Sequence, residues 1–220
     1  MPKELLIYGQ IYSQSTIDFI NGMNEIGEDD ELSVRVSSEG GDVLYGFGMI
    51  AKFNEHKGSK IVKVDGKAYS MGLFFCAYAD NVEALDTSKF LLHRAAYSEW
   101  FEDSVYFTPE LKAQLVEVNK QLMDAFKAKV DVAKFEELKG VKLKDVFSMD
   151  SRIDVFLNAQ EAKQIGLINK IVKITPAIDV QYFKSNNSVK DSHRIVTIAR
   201  LNWKQYQRVV LYSWYQWKWN

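Results

Sequence analysis

Apolar residues along this chain fall into two repeating patterns, and their order points to a fold class. Short runs rich in β-branched and large apolar residues occur at 5–8, 32–36, 60–64, 82–85 and 89–93, with stretches of helical period separating the first three. Strand alternating with helix predicts βα units and a largely parallel sheet, an α/β fold. The first helix is expected over 15–26, capped by Ser15, with Ile17, Ile20 and Met23 facing inward. The second runs from Asp42 to about Glu55 with Val43, Phe47, Ile50 and Ala51 inward. A third, Ser70 to about Ala79, is apolar on every side and is expected to be buried. The longest begins at Thr108-Pro109, a cap followed by proline at the first helical position. It carries Leu111, Leu115, Val118, Leu122, Phe126 and Val130 on one stripe, long enough to predict a face shared with another subunit. Asn158 caps a last short helix that Gly166 stops, ahead of a final strand at 167–174.

Past Thr175-Pro176 the pattern breaks. Residues 184–190 are polar and loop-like, no acid follows Asp191, and four of the five tryptophans lie between Trp203 and Trp219. The expected organisation is a core domain at 1–176 and a separate basic, aromatic-rich tail at 177–220, read as a docking segment, a scaffold-like extension or a foreign terminus. With 220 residues, 47% of them apolar, the chain can bury a substantial core. Its 28 basic and 29 acidic residues give a net charge of −1, so nothing electrostatic favours nucleic acid or an anionic membrane as partner. The single cysteine, Cys76, rules out an internal disulfide framework or a Cys-rich metal site and suits a reducing cytoplasm. No signal-peptide pattern opens the sequence, and no apolar run approaches the length of a membrane span. The expectation is a cytoplasmic protein using neither metal nor cofactor.

Three short segments carry candidate chemistry: Ser38-Glu39-Gly40-Gly41-Asp42, Gly66-Lys67-Ala68-Tyr69-Ser70-Met71-Gly72 and Leu91-Leu92-His93. Acyl transfer from an amide needs a nucleophile, a base, a group that orients the base, and donors aimed at the developing oxyanion. Ser70 sits on a glycine-flanked turn ahead of an apolar helix, whose free amides and dipole favour negative charge. The plainer reading is a serine that only caps that helix. Of the three histidines, His56 lies in a polar stretch and is expected at the surface, and His193 belongs to the tail. That leaves His93, at the end of an apolar strand, as the base candidate. Gly40-Gly41, between a strand and a helix, can present unshielded amides to an oxyanion.

These blocks resemble those of the Clp-type serine peptidases. A fourth, 154–168, is similar to the family segment that carries the triad acid and then a helix ending in Gly-Leu-Ile. The resemblance spans about 4–175 and implies a spiral of ββα units, as in the ClpP and crotonase folds, with a long handle helix by which rings stack. It implies Ser70 as nucleophile, His93 as general base, Asp154 as orienting acid, and the amides of Gly41 and Met71 as oxyanion hole. Asp150, four residues before Asp154, stays open as the acid. Three departures stand out: Glu39 for the usual proline, Arg94-Ala95 after the histidine where Gln-Pro is common, and Asn169 for an aspartate. Charged sequence at 131–150 is extra and predicts an altered contact between rings.

The sequence begins almost at its first strand, without the pore-lining segment of the bacterial housekeeping enzymes, so no unfoldase ATPase is expected as partner. A core of this size with further C-terminal sequence is similar to the head-maturation peptidases of tailed phages and prophages. The implied function is an oligomeric serine endopeptidase that cleaves phage scaffold or capsid precursors. Alternatives are the proteolytic subunit of an ATP-dependent protease, a catalytically silent structural ring, an acyl-CoA enzyme of the crotonase type, and a Ser-Lys dyad using Lys67.

Overall fold

The structure, a computed structural model, describes residues 4–174; the tail expected at 177–220 lies outside the described residues. In chain order the strands are β1 (Glu4–Ile11), β2 (Leu32–Gly41), β3 (Lys60–Tyr69), β4 (Asn81–Leu85), β5 (Lys89–Leu92), β6 (Val155–Asn158) and β7 (Lys170–Val172). They form one seven-stranded sheet in which β1, β2, β3, β4 and β7 lie side by side, all parallel. β3 divides its pairing: Ile61 to Val64 run beside β4, whereas Lys67 to Tyr69 run beside β5. β5 then pairs antiparallel with β6, so a small second layer leaves the main sheet where β3 changes neighbour. Val34, Val36, Val62 and Val64 have almost no exposed surface, as expected of parallel strands packed on both faces.

The helices are α1 (Ser13–Asn24), α2 (Val43–Glu55), α3 (Met71–Tyr78), α4 (Glu99–Glu102), α5 (Pro109–Lys129), α6 (Val132–Lys139), α7 (Leu143–Val146) and α8 (Ala159–Gln164). α3 meets its expectation: every side chain from Met71 to Cys76 is buried, which makes it the hub of the core. α1 differs from the sequence reading. Ser15 is not its cap but lies in the first turn, where its Oγ accepts from Tyr12 N at 2.9 Å. The helix therefore starts earlier, and its inner face is Thr16, Phe19 and Met23, with Ile17 exposed. In α2, Asp42 is the cap, not the first helical residue, accepting from Leu44 N and Tyr45 N, and Met49, Ile50 and Phe53 face inward while Ala51 faces out.

Two expectations about subunit contacts are modified. The α5 stripe is largely used within the chain: Leu115, Leu122 and Phe126 are buried, and α3 packs against α5. The charged stretch 131–150 folds back as α6 and α7, with Phe135, Leu143 and Val146 buried and Phe135 meeting Phe126 edge-on at 5.5 Å. Its charges concealed a short apolar face that serves the chain's own core. Exposed apolar side chains remain on the approach to α5, at Tyr97, Trp100, Val105 and Tyr106, on α5 itself at Val116, and elsewhere at Leu6, Tyr8 and Leu44. His56, expected at the surface, is buried with Nε2 2.7 Å from Asp30 O, so its ring is held by the backbone of a neighbouring turn.

Candidate active site

The site lies where β3 leaves β4 for β5. Parallel pairing of β3 with β5 ends at Tyr69 opposite Leu91, and the next amide, Ser70 N, donates to Leu91 O at 2.9 Å. Antiparallel pairing of β5 with β6 ends at Leu92 opposite Val155. The next residues outward on those two strands are His93 and Asp154, and their side chains meet with Nδ1 and Oδ1 3.8 Å apart. Three strand ends thus bring Ser70, His93 and Asp154 to one corner of the sheet. Asp150, the competing acid of the sequence reading, lines a separate hollow with Arg94, Glu99 and Asp103.

Ser70 adopts φ 51° and ψ −126°, the only positive φ of a non-glycine residue among the described residues. Such a conformation costs about 1–3 kcal/mol and persists only where surroundings impose it. Its hydroxyl makes no capping bond to α3, so the plainer reading of a helix-capping serine fails. The surroundings are visible at Gly40, where an added Cβ would lie 2.6 Å from Ser70 Cβ and 2.9 Å from Met71 N. Only glycine lets β2 pass that close beneath the turn.

The glycine pair, expected between the strand at 32–36 and the next helix, is instead the end of β2, which continues through Gly41 opposite Ile11. Gly40 N donates to the buried Ser38 Oγ at 3.0 Å, and Ser38 Oγ donates to Gly9 O at 2.6 Å. Of the two glycines, Gly41 is therefore the candidate oxyanion donor, while Ile11 O takes the following amide, Asp42 N. Met71 is the first residue of α3, where backbone N–H groups have no intrahelical acceptor. Ser38 is a residue whose importance the motif alone did not reveal. Ser38→Ala removes the acceptor of a buried N–H beside the site, and is expected to lower stability by about 1–3 kcal/mol in urea unfolding.

Burial pushes the His93 imidazole below its usual pKa; the Asp154 carboxylate opposes that shift and the Arg94 charge adds to it. The ring is consequently neutral near pH 7 and able to accept a proton. At 3.8 Å the contact with Asp154 is longer than a hydrogen bond, and among the described residues none joins Ser70 Oγ to His93. Catalytic contacts of this kind are often loose until substrate binds.

A family model for Clp protease matches residues 3–175. The chain belongs to the Clp protease family. Membership implies serine-type peptidase chemistry. Among solved structures, a ClpP1 mutant from Listeria monocytogenes is similar in fold, with TM-score 0.56 and 21% sequence identity over 77% of this chain and 91% of that one. The architecture is accordingly a ClpP-like α/β fold. Among curated proteins none matches the chain.

Two departures from the Clp pattern have a visible structural use. Glu39 pairs with Lys67, so the lysine of the Ser-Lys alternative is turned to a carboxylate on the neighbouring strand. Asn169 keeps the pairing an aspartate would make, its Oδ1 accepting from Val82 N at 2.8 Å. Cys76 offers no rival nucleophile: complete burial pushes its thiol up to about 12.

Proposed function

We propose that this Clp-family chain is a serine endopeptidase, with Ser70 as nucleophile, His93 as general base, Asp154 as orienting acid, and the amides of Gly41 and Met71 binding the oxyanion. One observation carries this reading: the hydroxyl of Ser70 is unspent, held in a strained turn at the head of a buried helix, with His93 and its carboxylate on the two adjoining strand ends. His93 takes the Ser70 proton as Oγ attacks the scissile carbonyl and returns it to the leaving amine; water then hydrolyses the acyl-enzyme. The substrate is a protein or peptide, and the active form is a homo-oligomeric ring or stacked rings.

The narrower role is maturation of phage or prophage scaffold and capsid proteins, independent of an ATPase. It is supported by the resemblance of a core this size, followed by further sequence, to the head-maturation branch. A fluorophosphonate probe is expected to add once per chain at Ser70, read by intact mass, and to add nothing to Ser70→Ala. Labelling that survives that substitution would refute the assignment. Cleavage of an unfolded protein substrate without nucleotide or ATPase is the expected result for the narrower role; an absolute requirement for an added ATPase would instead favour the proteolytic subunit of an ATP-dependent protease. No labelling of the wild-type chain would favour a silent structural ring.

A further inference from the structure

Among the described residues Arg94 is the only buried Lys, Arg, Asp or Glu, 3% exposed, and it directly follows His93. Its Nη2 and Nη1 donate to Glu102 Oε2 at 2.9 Å and Oε1 at 3.2 Å, a two-pronged pair with the end of α4. Its Nε donates to Ser151 O at 2.9 Å, on the segment leading into Asp154. From that segment Arg152 Nη2 also donates to Glu102 Oε2, at 2.8 Å. Glu102 Oε1 further accepts from Tyr97 N at 2.9 Å. One carboxylate therefore ties the chain leaving His93 to the chain approaching Asp154. Beside the clasp, Asn119 of α5 accepts from Ala95 N at 2.7 Å and donates at 3.0 Å to Ala95 O, which Arg94 Nη1 also reaches at 3.1 Å.

This arrangement answers a mechanical problem. His93 and Asp154 sit one step beyond the last ladder pair of β5 and β6, where backbone hydrogen bonds no longer fix their separation. We propose that Glu102 is a positioning residue for the His93–Asp154 pair, its carboxylate clasping Arg94 and Arg152 so that the two strand ends cannot spread. The proposal rests on the roles given to His93 and Asp154 above. A buried ion pair adds little net stability over an apolar core, but its geometry is demanding, which suits a part that sets a distance.

The charged groups facing His93 are Asp154 and Arg94; those around the clasp are Glu99, which approaches Arg152 Nε at 3.7 Å, and Asp103 and Asp150, which border the same hollow. The Arg94 guanidinium holds Glu102 below the usual carboxylate range, so the clasp stays ionised near neutral pH. A pH effect of altering it therefore reports on His93.

The test is Glu102→Gln in the full chain, with kcat and KM on a peptide substrate and the titration of His93 followed by NMR of carbon-labelled histidine, its signal assigned by loss in His93→Ala. If the clasp positions the pair, kcat falls about tenfold or more with KM nearly unchanged, because only the proton-transfer geometry is affected. His93 then titrates at lower pH than in the wild type, moving toward its behaviour in Asp154→Asn, since the carboxylate that favours its protonated form has receded. Glu102→Asp keeps the charge but retracts it, and is expected to shift both readouts the same way by less. A folded Glu102→Gln with wild-type kcat and unmoved His93 titration overturns the proposal. Should Glu102→Gln fail to fold by circular dichroism, an unmoved His93 titration in Glu102→Asp overturns it instead. The NMR readout needs no turnover, so a wild-type chain that neither labels nor cleaves would refute the peptidase reading while leaving the clasp to be judged by the titration.

Discussion

Replacing Ser70 by alanine is expected to lower peptide hydrolysis by about six orders of magnitude, to the rate left by oxyanion donors and binding alone. The substitution removes one oxygen that caps nothing and accepts no hydrogen bond from α3, so folding should be untouched. Ser70→Gly should separate chemistry from strain. It abolishes hydrolysis equally, yet glycine populates positive φ freely, and relief of the turn should raise stability by about 1 kcal/mol, or roughly 2–4 °C in Tm. Calorimetry of the wild type and both variants, beside a peptide-cleavage assay, gives the answer. Alanine at wild-type Tm with glycine above it, both inactive, is the expected pattern. Appreciable cleavage by either variant would remove Ser70 from the mechanism; a glycine variant less stable than alanine would mean that the turn is not strained.

What the sequence made legible follows from how local each signal is. The buried α3 could be read because every residue from Met71 to Cys76 is apolar or small, and its position after β3 follows from the Gly66 to Gly72 frame. The Asn158 cap could be read because a cap acts within its own turn. The end of β2 could not: the strand passes through Gly40 and Gly41 because β1 supplies a partner, and nothing in a glycine pair announces that. β6 was missed because it is four residues long and exists only by pairing with β5. The α1 register failed for a related reason, since Ser15 supports a capping interaction from within the first turn as readily as it could cap the helix.

The candidate site divides along the same line. Ser70, His93 and the glycine pair stood out by residue type and order, whereas Asp154 and Asp150 became distinguishable only when β6 set Asp154 beside His93. Ser38 and Glu102 carried no local signal. A buried serine that accepts from a glycine amide, and a glutamate that closes on Arg94 nearby and on Arg152 far away in sequence, show their roles only in the folded chain. Arg94 was visible as a departure from the family pattern, and its structural use explains the departure: the guanidinium is long enough to reach α4 and the approach to Asp154 together.

His93 gives the second large effect, and its pH dependence can be stated with a sign. Because burial lowers its pKa below 6.5, the neutral base persists to lower pH than in a free histidine. The acid limb of kcat/KM should therefore have an apparent pKa below 6.5, activity falling as pH drops through it. The same shift makes a stability statement. Protonation is disfavoured in the fold relative to the unfolded chain, so the stability tied to this group is present above the unfolded pKa and lost as pH falls through the folded one. His93→Ala should cost about as much activity as Ser70→Ala, roughly six orders of magnitude, and combining the two should cost almost nothing further, because a base without a nucleophile has no proton to move. Asp154→Asn should be the mildest of the three single changes, since its side chain is 62% exposed and stands 3.8 Å from the ring. Pre-steady-state cleavage assays across pH for the three single variants and the Ser70→Ala/His93→Ala double variant decide the matter. Additive losses in the double variant would mean that His93 does not serve Ser70 as its base, whereas an acid limb above 6.5 would mean that the Asp154 carboxylate outweighs burial at the ring.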